Sequence, residues 1–355
     1  DWFGKMIAFF NIDAIRPGTP VYNIASTPEY HAFFQEFMKN MDVPETSWPD
    51  GKALLGLNGP WSDDYNYAIK GVPGIICGRG PAEWSYQNYH TQFDNYMIFE
   101  EEKEIISYVA ANYTEMVYAF DHFVLPPLHY KYGIDGITKE LADLDEEFLQ
   151  MPLFQLKAAA NSVSETSEKL FRQLKEINAA YPDGKVPFSL LPDVAQAREQ
   201  LMEIYRLIQG DLMKLSPWDD VVFAHEPVCR NIASIKKALS ELNENPTGDI
   251  TKTLWELDLF KIGYQFDREV YDWLMGCQDY TRDDLFWGTG KIHEFAQLMP
   301  LIKRIQTGNS KETSRELKKL LNFEHQLLQD ILKQETEILL HINDKISSIK
   351  IHRFL

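Results

Sequence analysis

Positive charge is in short supply. Lys and Arg number 35 against 53 Asp and Glu, for a formal net charge of −18. Such a surface repels phosphate, which argues against nucleic-acid binding and against a purely electrostatic hold on anionic lipid. Cysteine is also scarce: Cys77, Cys229 and Cys277 are odd in number, far apart and form no CxxC pair. That excludes a disulfide framework and leaves them as small buried apolar residues. No run approaches the ~20 apolar residues that cross a bilayer. There is no GxSxG elbow, no Walker loop and no GxGxxG, and the nine histidines form no HExxH or HxH pair. The sequence opens at Asp1 without a methionine or a signal-like segment, so a targeting peptide or anchor upstream is outside its view.

What is present is ordinary globular composition, 45% hydrophobic and 13% aromatic over 355 residues, enough for two domains. Two textures divide the chain. In residues 1–125, the apolar runs "KMIAFFNI" (5–12) and "VPGIIC" (72–77) have strand length and end in Gly/Pro loops. Uninterrupted runs of this kind suit strands covered on both faces. Between them residues 28–41 have amphipathic helical spacing with Thr27 as N-cap, and a longer helix is expected over 99–120. This is α/β texture.

In residues 126–355 the strands are expected to vanish. Helices are expected over 141–148, 153–177, 194–212, 231–242, 259–276, 292–305 and 311–345, separated by Pro/Gly clusters. The leucine-rich stripe of the last helix is either packed inside its own bundle or part of a subunit interface. "NYT" at 112–114 is a formal glycosylation sequon inside an expected helix.

Asp13 stands where an apolar run enters a Gly/Pro loop, and Arg79 stands between Gly78 and Gly80 after the second run. Ligands of open α/β sheets gather at the carboxyl ends of strands, so both are placed for a site. Both equally suit ordinary loop positions. Asp63 and Asp64 precede an aromatic helical turn, where adjacent carboxylates commonly cap backbone N–H groups. His90, in "SYQNYHTQFDN", is either a ligand or a loop histidine; Asp13 and His90 together make a possible Asp/His metal pair.

The ordered set "KMIAFFNIDAIRPG", "SDDYNYAIKGVPGI" and "NYHTQFDN" before a long helix resembles the second half of the catalytic domain of co-catalytic zinc exopeptidases. Within them it is most similar to the branch holding glutamate carboxypeptidase II and the transferrin receptor. The likeness covers residues 1–125 and continues more faintly to about 245, where "LMEIYRLIQGDLMKLSPWDDVVFA" resembles the dimerisation domain of that branch. The resemblance implies part of a three-layer α/β/α zinc-peptidase domain followed by an all-α helical domain. It implies Asp13 as a ligand of one zinc and His90 as a ligand of the other. Tyr89 would line the pocket and assist the tetrahedral intermediate, Asp63 would contact substrate, and Arg79 would read a substrate carboxylate. A homodimer and a short peptide substrate follow from the same resemblance.

Several family parts are missing. No HxD, bridging aspartate or suitably placed Glu-Glu pair occurs, so the expectation is a chain that supplies part of a dinuclear site and needs an absent N-terminal half. The alternative is a non-catalytic, transferrin-receptor-like dimeric binding or assembly protein. "CGRGPAEW" keeps one arginine where acid-selective relatives carry more, and "VVFAHEPVCRNIASI" lacks their Lys-Tyr pair, with His225 or Arg230 as the substitutes on offer. Aminopeptidase or dipeptidase activity is therefore expected over carboxypeptidase activity.

Overall fold

A computed structural model describes residues 5–12, 20–58, 63–68, 71–78, 90–93, 95, 103–142, 153–215, 221–254, 257 and 310–354. In chain order the strands are β1 (Phe9–Asn11), β2 (Tyr22–Ser26), β3 (Ala53–Leu57), β4 (Gly74–Gly78), β5 (Met213–Leu215) and β6 (Val221–Phe223). The helices are α1 (His31–Met38), α2 (Asp64–Ala68), α3 (Lys103–Asp121), α4 (Lys131–Ala142), α5 (Phe154–Ala180), α6 (Leu191–Leu207), α7 (His225–Glu244), α8 (Thr251–Leu254) and α9 (Ser310–Ser348). A 3-10 turn, Pro28–Tyr30, leads into α1, and a π-helical turn, Ile208–Leu212, closes α6. The chain is mixed α/β followed by a helix-rich region.

The first sheet has the order β1-β4-β2-β3. β1 runs parallel to β4, β4 antiparallel to β2, and β2 parallel to β3. Alternation sorts its side chains. Phe10 meets Phe120 of α3 edge to face, and Cys77 lies against Met116 of the same helix. From the opposite face Phe9 stacks on Tyr67 of α2, and Asn11 reaches Asp64. Helices thus cover both faces, as the apolar character of β1 and β4 requires. Tyr113 of α3 ties two strands together: its hydroxyl donates to the Asn11 carbonyl and accepts the Cys77 N–H at 2.7 Å.

Several expectations need correction. The first apolar run pairs over only three residues rather than eight, and β2 and β3 have no counterpart in the sequence reading. β2 alternates buried and half-buried residues, and β3 carries a glycine, so neither presents an unbroken apolar run. Thr27 makes no side-chain cap bond. Strands do not vanish after residue 125, because β5 and β6 form a two-stranded antiparallel sheet. α4 occupies residues ahead of the helix expected over 141–148, and the helices expected over 259–276 and 292–305 lie outside the described residues.

Much of the apolar stripe of the long C-terminal helix packs within the chain. Leu317, Leu328, Ile331, Leu339, Ile342 and Ile346 are buried, and α9 packs on α5, α6 and α7. One cluster of buried side chains runs from Tyr22 through Leu201 to Phe354, across residue 125 without interruption. A smaller cluster joins Ile235, Leu242, Leu254 and Leu317. Leu201, Met202, Tyr205, Ile208, Met213 and Phe223, all within the segment that resembles a dimerisation domain, are spent on this intrachain core. Asn112 of the sequon is buried in α3.

Candidate functional site

The parallel pairing of β1 and β4 fixes where their following loops begin. The register sets Asn11 beside Ile76, so both strands end at one edge of the sheet. Asp13 comes two residues after β1 and Arg79 directly after β4. Asp13, Arg79 and Tyr89 themselves lie outside the described residues. Asp63 is exposed, immediately ahead of α2, and His90 is an exposed turn residue.

His90 has φ 59°, and among the described residues it is the non-glycine residue with positive φ. A β-carbon makes the left-handed region uncommon outside glycine, although histidine is among the residues enriched there. This is a local fact about the Tyr-His-Thr stretch that composition does not carry.

The acid beside Asp63 proves structural. Asp64 is buried, and its carboxylate accepts from the Asn58 amide at 2.5 Å and from the Asn11 amide at 3.4 Å. Burial lifts its carboxyl above the ordinary range, while the two amides pull it back. The trio links the ends of β1 and β3 to the start of α2 and so sets the position of Asp63. The adjacent acids hinted at capping; the partners, one of them 53 residues away, left no local signal.

His225 is not available to a substrate carboxylate. It is 0% exposed, and its Nδ1 lies 2.8 Å from Oε2 of Glu335, itself 2% exposed. The His225 N–H also donates to Glu335 Oε1, and the ring Nε2 is buried without a partner. Burial works against charge on this imidazole, but the attraction and hydrogen bond of Glu335, with Glu226 and Glu140 beyond, outweigh it and raise the group above its ordinary value. Arg230, the other candidate, donates to Glu226 at 2.9 Å. His225 thus ties α7 to α9, whereas Arg230 forms a partly exposed pair within α7.

Two of the three thiols lie among the described residues. Cys77 and Cys229 are free and buried, and burial pushes each up to about 12. No family model matches the chain, and no curated protein sequence matches it.

Proposed function

We propose that this chain forms part of a zinc-dependent exopeptidase of the aminopeptidase or dipeptidase type, within a three-layer α/β/α domain. In this reading Asp13 and His90 each give one donor to a two-zinc site, and Asp63, Arg79 and Tyr89 face a short peptide. The observation that carries it is the sheet edge: parallel, adjacent β1 and β4 end together, one leading to Asp13 and the other to Arg79. The left-handed backbone at His90 is the second support.

The donor set limits what this chain does alone. Carboxylate oxygen and imidazole nitrogen are suitable zinc donors, but each zinc takes three or four protein ligands. Among the described residues no three His, Cys, Asp or Glu come together to hold a metal. In this reading the described residues do not complete a two-zinc centre, and further donors are required beyond them. What its own side chains offer is recognition: the Arg79 guanidinium suits a carboxylate in two-pronged fashion, and the Tyr89 hydroxyl is a donor for negative charge that develops on a carbonyl oxygen.

The test is capture of the chain from its native cells under conditions that retain partners, then elemental analysis and assay on short peptides. Zinc is expected in the captured material, with hydrolysis that a chelator stops. His90→Ala is expected to lower both by about 10-fold or more, since even groups behind a metal ligand cost that much. Unchanged metal content and activity in the variant would make the assignment wrong.

A further inference from the structure

Glu29 occupies an unusual position for an acid. It sits in the 3-10 turn between β2 and α1 and is 0% exposed. Its carboxylate accepts from a single amide, Gln209 Nε2, at 2.8 Å to one oxygen and 3.0 Å to the other, with its own backbone N–H adding a weaker contribution. No ion pair to Glu29 occurs among the described residues. An ionised carboxylate so placed lacks the charge partner that burial demands. A neutral carboxyl accepts the same amide and carries no such cost.

The surroundings span both parts of the molecule. Gln209 belongs to the π-helical turn at the end of α6, a distortion that interrupts regular helix bonding and is frequent at functional positions. The Glu29 carbonyl accepts the His129 N–H at the approach to α4, while the His129 ring turns to Glu168. The titratable groups facing the carboxyl are Tyr30 on its own turn, Tyr130 on the approach to α4 and Tyr205 on α6, with Arg206 acting on Tyr130 behind them. Tyr30 and Tyr130 donate to the carbonyls of Ile7 and Leu201. Arg206 lies across Gly71, whose φ of +74° and missing β-carbon leave room for its stem. Glu29 thus joins the turn after β2 to the end of α6 and the approach to α4.

We propose that Glu29 is a proton-operated latch between the sheet and the helical bundle, closed when the carboxyl is neutral and loosened when it ionises. Burial, the largest influence, raises its pKa to about 7, with its own N–H and Gln209 acting in the opposite direction. The folded-state value lies above the unfolded one, so the latch's stabilisation is fully present below the ordinary carboxyl value of 4.5 and is lost as pH rises through about 7. The device therefore responds across neutral pH, between a mildly acidic and a mildly alkaline setting. It stands independently of the peptidase reading.

Hydrogen exchange on the full chain tests it, with rates corrected for intrinsic pH dependence. Backbone protection in peptides covering 27–31 and 205–213 is expected to fall on the order of tenfold between pH 5.5 and 8.5. Glu29→Gln, a neutral isostere, should hold protection constant over that range and at or above the wild-type level at pH 8.5. Peptides covering 225–231 and 331–338 report the His225–Glu335 pair separately and should respond alike in both proteins. An equal fall in Glu29→Gln, or no fall in the wild type, overturns the proposal. So does a Glu29→Gln chain that fails to fold, because the neutral side chain that still accepts the Gln209 amide is the state proposed to hold the junction.

Discussion

The sheet region and the helical bundle satisfy their buried polar groups by opposite means. Around β1 and β4 the partners are mostly neutral: the Tyr113 hydroxyl bridges Asn11 and Cys77, and two asparagine amides hold Asp64. Between the bundle helices they are charged: His225 meets Glu335, and Asn231 donates to Glu324 at 3.2 Å, both acids buried on α9. Strands lie close enough for hydroxyls and backbone to reach one another. Helix axes stand 8–10 Å apart, which suits long acidic and cationic side chains. Near neutral pH the buried charge pairs therefore lie in the bundle, while the buried acid of the sheet, Asp64, is held by neutral amides.

The sharpest way to break this contrast is His225→Ala. It strands the Glu335 carboxylate in the core, and the expected loss is about 3–5 kcal/mol in urea unfolding. Replacing both partners with methionine should return most of that. The raised imidazole also sets a sign: the pair's contribution is fully present below 6.5 and is lost as pH rises through the higher folded-state value. The wild-type stability curve should therefore slope downward on the alkaline side, and the methionine pair should flatten that component.

Tyr113→Phe makes the matching cut in the sheet region. It leaves the Cys77 N–H and the Asn11 carbonyl without the hydroxyl, at an expected cost of about 1–3 kcal/mol. Burial pushes the Tyr113 hydroxyl up, so that loss should not change between pH 5 and 9. A pH-dependent loss here would erase the distinction between the regions.

The smallest effect sharpens the contrast. Lys345 and Glu203 lie 2.7 Å apart across α9 and α6, but both are partly exposed. Lys345→Ala should cost less than about 1 kcal/mol and less still in salt, because exposed pairs are screened. Charge matters in the bundle only where water is excluded.

The sequence displayed the amphipathic helices well, because a 3.6-residue period is local. The apolar stripe of 311–345 and the run 153–177 appear in α9 and α5 within a few residues. β2 and β3 were hidden because strand pairing rests on partners elsewhere in the chain, and β5 and β6 because three-residue strands carry no period. The candidate site was legible as an order of short motifs and as strand ends. Its internal geometry was less so. Glu29 drew no reading of its own within the helix expected over 28–41, and nothing near it announced Gln209, 180 residues away. His225 was on offer as a substitute for the missing Lys-Tyr pair for the same reason: its partner is 110 residues further on.

Helix α9, 39 residues long, has a consequence for synthesis. Its contacts reach back to Glu203 on α6, to His225 and Asn231 on α7, and, through Asn343, to Thr166 on α5. Until it leaves the ribosome, the apolar flanks of those helices have no cover, and contacts of such separation form slowly. Until α9 has been made, the helices that it covers therefore keep apolar flanks open to water.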